Sequence, residues 1–227
     1  MKKKIYIPSK GPDCWKDFLA DPEKQWVTGF SAKTLAHSWE DSNGFPKKFN
    51  KVLNNFGFDL ELLLAIPEYK VFLDSKRAPS QNDLFVLSRD SNGLAVMMIE
   101  GKVSESFDKL IKDWKDSDGK FHRFEFLKDK LEINDKTEGT SDFRYQLFHR
   151  TVSAILTAEQ FTAKKAIMIV HSFSQSDKWF KDYFDFVKLI NSNLNPRVNE
   201  IYKCKTLNSG IELFVGWIKG EEKYLNK

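Results

Sequence analysis

The chain has 227 residues, 41% hydrophobic and 14% aromatic, which is long and apolar enough to bury a substantial core as a single domain. Its 36 basic and 32 acidic residues leave a formal charge of +4, too mild to demand or to exclude a nucleic-acid partner. Cys14 and Cys204 lie far apart with no ligand-spaced partner, which argues against a zinc motif or a disulfide framework, and neither a signal-peptide core nor a run of about 18 apolar residues occurs, so a soluble, cytoplasmic chain with no membrane partner is expected.

Pro12-Asp13 ahead of residues 14–19 predicts a short capped helix, and residues 31–40 predict a second, stopped by Asn43-Gly44-Phe45-Pro46. A third runs from about 46 to 56, with Phe49, Val52, Leu53 and Phe56 at helical spacing. Residues 60–66 and 69–73 read as strand, interrupted at Pro67. Two apolar runs flank Asp90-Ser91-Asn92-Gly93, whose polar residues and glycine favour a tight reversal, so residues 81–103 form a β-hairpin. Residues 107–114 and 122–131 read as helices, and 134–141 as a polar loop. The longest helical pattern, 143–162, carries Leu147, Val152, Ile155, Leu156 and Phe161 on its buried face. A buried strand at 166–170 and an amphipathic helix at 179–190 follow. Residues 200–207 and 211–218 close the chain as a hairpin around Asn208-Ser209-Gly210.

The central hairpin carries the chemistry. Asp83 begins its first strand and Glu100 ends the second, so an antiparallel pairing brings the two carboxylates to one edge of the sheet. Glu100 and Lys102 share a face because strand side chains alternate. Hard divalent cations such as Mg²⁺ or Mn²⁺ rest on one or two carboxylates, with water and substrate phosphate completing the shell. A neighbouring lysine can orient the attacking water and offset charge on the phosphate. The plain alternative is three charged residues on the rim of an ordinary hairpin. Against it stands the apolar run before Glu100, which predicts a strand buried on both faces, where charges need partners or a metal.

Asn82-Asp83 followed by Glu100-x-Lys102 after an apolar strand resembles the metal-binding signature of the PD-(D/E)xK, or restriction-endonuclease-like, nuclease superfamily. Asparagine replaces the proline that often precedes the aspartate. The blocks Ile66-Pro67-Glu68-Tyr69-Lys70-Val71, Pro79-Ser80-Gln81-Asn82-Asp83, Glu100-Gly101-Lys102-Val103, Arg144-Tyr145-Gln146-Leu147-Phe148-His149-Arg150-Thr151 and Val170-His171-Ser172-Phe173-Ser174 resemble, in order, those of a bacterial family of PD-(D/E)xK-like proteins. The resemblance implies an α/β fold with an αβββαβ core over roughly residues 31–190, a mixed central sheet and helices on both faces. The N-terminal helices and the hairpin at 200–218 would be additions to that core. It implies no established substrate.

Further residues are candidates for the same site. Arg144, Gln146, His149 and Arg150 crowd one helix start, and Gln146 and Arg150, four apart, share a face. In several nuclease branches of the superfamily a helix after the lysine strand points a glutamine toward the metal, which Gln146 matches; the tyrosine found four residues later is lacking. A solvated helix face with a satisfied histidine is the alternative. His171 ends a strand and either reaches substrate or caps the sheet, while His37 and His122 have no visible partner. A further acidic metal ligand is often offered by an early helix or first strand in this fold, and Glu40 is the first candidate, with Glu68 next and Glu61 third. Lys47, Lys48, Lys51, Lys76 and Arg77 could contact phosphates. The resulting expectation is a Mg²⁺-dependent DNA nuclease in which Asp83 and Glu100 hold the metal, Lys102 positions the water and Gln146 assists, with a homodimer as one way to address two strands. The rival is a binding or interaction module that keeps the fold and cuts nothing, and a third possibility is hydrolysis of another phosphodiester.

Overall fold

The computed structural model describes residues 9–74, 78–133 and 139–227. A 3₁₀ turn over Pro12–Phe18 leads to α1 (Pro22–Gln25), α2 (Ser31–Glu40) and α3 (Lys47–Phe56). Asp21 caps α1 by accepting the backbone N–H of Lys24. Helix α3 buries Phe49, Val52 and Leu53 and ends on Gly57, whose φ of 91° supplies the left-handed turn that closes a helix. Three strands follow, β1 (Glu61–Val71), β2 (Ser80–Asp90) and β3 (Gly93–Lys102). Then come α4 (Ile111–Trp114), α5 (Asp118–Lys130), α6 (Tyr145–Gln160), β4 (Lys165–Ser172), α7 (Phe180–Ile190), β5 (Glu200–Thr206) and β6 (Glu212–Lys219).

The strands form one six-stranded mixed sheet in the order β1-β2-β3-β4-β6-β5. β1, β2 and β3 are antiparallel, β3 pairs with β4 in parallel, β4 with β6 in parallel, and β5 closes the far edge antiparallel to β6. The parallel step from β3 to β4 needs a crossover, and α6 is the long helix within it. Val96 and Met98 of β3 enter the apolar cluster that holds Leu147, Phe148 and Val152 of α6 and Phe186 of α7. Met97 and Ile99 enter the opposite cluster, with Leu35 and Trp39 of α2 and Phe49 of α3. β3 is therefore buried on both faces and the sheet carries helices on both sides. Among the described residues no helix is long and apolar enough to cross a membrane.

Two sequence expectations need correction. Pro67 does not interrupt the first strand: β1 is an edge strand, Pro67 stays in register with Leu84, and an edge tolerates the missing N–H. The helix expected over 107–114 contracts to α4, because the backbone ahead of it is used elsewhere. Lys109 accepts the N–H of Tyr145, Ile111 donates to Phe143, and Leu110 bridges Arg144. Of the loop expected at 134–141, residues 134–138 lie outside the described residues, and Thr140–Asp142 forms a 3₁₀ turn.

Candidate active site

The β2–β3 ladder ends at Leu84 and Ile99. Just beyond it, Asp83 Oδ2 accepts the backbone N–H of Gly101 at 2.8 Å, which fixes the carboxylate beside the end of β3. Glu100 and Lys102 continue the alternation of Val96 and Met98 and so point to the α6 side, where Gln146 and Arg150 project from consecutive turns. Lys102 Nζ donates to Glu100 Oε1 at 2.5 Å and to Gln146 Oε1 at 3.2 Å, and it lies 5.0 Å from the centre of the Phe107 ring. Arg150 spans both acids, with Nε 2.5 Å from Glu100 Oε2 and a terminal nitrogen 3.3 Å from Asp83 Oδ1.

These groups line one cleft of about 460 Å³, walled on its other side by Leu19, Lys24, Gln25, Phe30 and Ser31. That wall is tied to β3 through Glu105, whose carboxylate accepts the N–H groups of Ser31 at 2.7 Å and Val103 at 2.9 Å. Glu68 also lines the cleft and accepts from Gln81 Nε2 at 2.8 Å. Its φ of 52° puts a non-glycine residue in the left-handed region, directly after Pro67 and directly at the cleft.

Glu68, Asp83 and Glu100 are three carboxylates beside two cationic side chains, Lys102 and Arg150. Burial, and then repulsion from Glu100, pushes Asp83 up to about 7. Burial and Asp83 push Glu68 up to about 8. Burial also acts to raise Glu100, but Arg150 and Lys102 outweigh it and hold that carboxyl below the usual range. The acids thus exceed their counter-charge, as in sites where neighbouring carboxylates await a cation or share a proton. Among the described residues no three His, Cys, Asp or Glu side chains make a ready cage. A hard ion would rest on Asp83 and Glu100 with water and phosphate, and the all-oxygen donor set fits Mg²⁺ or Mn²⁺.

The remaining candidates divide. His149 lines no part of the cleft but stands behind Arg150, its Nδ1 2.8 Å from Ser80 Oγ. Arg144 turns away, with Nε on Asp182 at 2.9 Å and its guanidinium 5.3 Å from the Trp179 ring, so it joins α6 to α7 instead of binding in the cleft. His171 is on the opposite face of the sheet, buried against Trp39, Phe49 and Phe173, and Nδ1 accepts the indole N–H of Trp39 at 3.2 Å. Burial pushes its pKa down to about 3. It is a core histidine and not a substrate contact.

Glu40 is not a metal ligand in this geometry. It sits at the far end of α2 from Ser31, about 13 Å along the axis at 1.5 Å per residue, and Glu40 Oε1 accepts from Trp15 Nε1 at 3.0 Å and Ser9 Oγ at 2.5 Å. Glu68, the next candidate, is the acid that lines the cleft with Asp83 and Glu100. Glu61 pairs with Arg89 at the other end of β1. Lys47, Lys48 and Lys51 lie on α3, and neither they nor His37 of α2 nor His122 of α5 line the cleft. Lys76 and Arg77 lie outside the described residues. Nothing in the sequence marks Glu105 or the wall at 19–31 as part of a site, and Ser80 enters there only within the block 79–83, since the role of each depends on where separate segments dock.

The chain belongs to the family described as Domain of unknown function (DUF6946), whose model matches residues 8–222. Comparison with curated proteins and with solved structures gives no match.

Proposed function

We propose that this DUF6946 chain is a metal-dependent phosphodiesterase with a restriction-endonuclease-like core, and that its substrate is DNA. The observation that carries the reading is the convergence of Asp83, Glu100, Lys102 and Gln146 on one cleft. A divalent ion held by Asp83 and Glu100 supplies Lewis acidity toward a phosphoryl oxygen.

The side chains do the rest. An ammonium has three donors, and two of those on Lys102 are taken by Glu100 and Gln146. The third is left to hold the attacking water or a phosphate oxygen, on a stem pinned by burial. Preorganised donors of this kind stabilise developing charge without reorganising. With its carbonyl oxygen engaged by Lys102, Gln146 keeps its amide N–H groups for the same oxygen atoms. Gly101 N–H fixes Asp83, so the carboxylate pair keeps its spacing while substrate enters.

The test is cleavage of plasmid and linear DNA with Mg²⁺ or Mn²⁺. Lys102→Ala should lose about 10²- to 10³-fold in rate, as for loss of one transition-state donor; equal rates would remove Lys102 from the mechanism. One observation favours a second reading, a binding module that cuts nothing: Arg150 already pairs with both Asp83 and Glu100. Calorimetry with Mn²⁺ separates the two, because the catalytic reading requires an ion site that Asp83→Ala abolishes.

A further inference from the structure

Arg150 occupies the gap between the two carboxylates. Its burial and its partners define a built position: Nε on Glu100 at 2.5 Å, one terminal nitrogen on Asp83 at 3.3 Å and the other on Ser80 Oγ at 3.3 Å. Ser80 is itself buried, its oxygen accepts from Arg150, and its hydroxyl is hydrogen-bonded to His149 Nδ1 at 2.8 Å. Burial, then Arg150, Arg123 and Lys102, hold the pKa of His149 well below the usual value, which keeps the ring neutral. The chain His149–Ser80–Arg150 is thus aimed at the acids from behind.

The contacts are unequal. The bond to Glu100 is short, whereas the contact with Asp83 is long, and Asp83 has a second anchor in Gly101. Neighbouring carboxylates in such a site repel unless a cation or a proton lies between them, and among the described residues Arg150 is the side chain hydrogen-bonded to both, so its removal leaves the repulsion to be relieved by protonation.

We propose that Arg150 is the resident counter-cation of this site, filling the gap between Asp83 and Glu100 in the ion-free protein and swinging out of it when a divalent ion enters. This rests on the metal reading given above and adds a competition to it. The guanidinium is planar and carries five donors, so once released it faces the cleft as a phosphate-binding group beside the ion. The helix position four residues after Gln146 thereby acquires a function that a neutral side chain there could not perform.

Calorimetry with Mn²⁺ on the full chain tests this with wild type, Arg150→Gln and Asp83→Ala. Arg150→Gln should bind Mn²⁺ at least about tenfold more tightly than wild type, because the competitor is gone. Weaker or equal binding by Arg150→Gln, with wild type still binding, would show Arg150 to be a fixed part of the site and overturn the proposal. Absence of binding in both proteins would instead remove the metal site itself, and the inference with it. Wild type alone gives a second readout if the variant does not fold. The Arg150 Nε–H resonance, held by Glu100 in the ion-free state, should move and lose protection from exchange on saturation with Mg²⁺; a resonance unchanged at saturation refutes the exchange.

Discussion

Replacing Glu68 by glutamine should stabilise the ion-free protein above neutral pH, although it removes a hydrogen-bonded, partly buried side chain. Burial and the neighbouring Asp83 raise the Glu68 carboxyl from 4.5 to about 8. The unfolded chain gives up this proton near pH 4.3, whereas the folded chain keeps it to about 8, so between those limits the folded state binds more protons and stability falls as pH rises. The full penalty is present above about 8 and absent below about 4. At 1.36 kcal/mol per pH unit its ceiling is about 5 kcal/mol. Part of that belongs to the repulsion shared with Asp83, which ionises more readily once Glu68 is neutral, and the cleft admits water. An observable gain of about 1–2 kcal/mol at pH 9 is therefore expected for Glu68→Gln. The glutamine keeps a carbonyl for Gln81 Nε2 to donate to, so that bond survives. Urea denaturation at pH 5, 7 and 9 in the presence of a chelator measures the gain, which should grow with pH. A destabilised variant at pH 9, or a difference that does not change with pH, would refute the account of the cleft as over-charged.

Two further predictions concern the frame around the site. A Cβ added at Gly220 would stand 2.1 Å from Phe173 Cε1, and that ring is buried beside His171 and cannot swing aside. Gly220→Ala should cost about 1–3 kcal/mol by overpacking, read as a lowered Tm; an unchanged Tm would mean that the ring is looser than its burial implies. His171 should stay neutral in the folded protein from pH 8 to pH 5, its imidazole resonances flat in that range. Because the unfolded histidine takes up a proton near 6.5 and the folded one only near 3, its contribution to stability is complete above 6.5 and is lost as pH falls toward 3. A titration midpoint near 6 in the folded state would contradict the buried geometry.

The parts of the molecule that the sequence exposed are those in which local pattern and tertiary burial agree. The turn at Asp90–Gly93 and the apolar run of β3 marked a hairpin, and strand periodicity was enough to put Glu100 and Lys102 on one face. The spacing of Gln146 and Arg150 put both on one side of α6, but not which charges they would meet. What stayed hidden depends on neighbours distant in sequence. Pro67 lies within a strand because β1 is at the sheet edge, which no local pattern states. Residues 107–110 resemble helix in apolar spacing, yet the backbone of residues 109–111 pairs with residues 143–145. The sequence ranks Glu40 ahead of Glu68 as the further acid, and only the docking of Trp15 and Ser9 on one and Asp83 beside the other reverses that order. The end of a strand left open whether His171 reaches substrate or caps the sheet, and the aromatic residues of α2 and α3 that cover it decide for the core.

The charges and the core are specified together. Strand β3 is the place where the sheet changes from antiparallel to parallel pairing, so its neighbours there are β2, which brings Asp83, and β4, which is reached through α6 and so brings Gln146 and Arg150. The alternation that sends Val96 and Met98 under α6 also sends Glu100 and Lys102 there, while Met97, Ile99 and Gly101 face α2, with a Cβ position at Gly101 only 3.4 Å from Leu35. A slip of one residue in β3 would turn Glu100 and Lys102 toward α2, away from Gln146 and Arg150, and would exchange both apolar sets at once. Because β3 is buried on both faces, the slip would keep Met97, Met98 and Ile99 out of water but set each against neighbours packed for the other set, at an overpacking cost of about 1–3 kcal/mol per misfitted site. The apolar register thus holds the acids in place against their own repulsion, which is why an over-charged cleft can persist at the end of a strand buried on both faces.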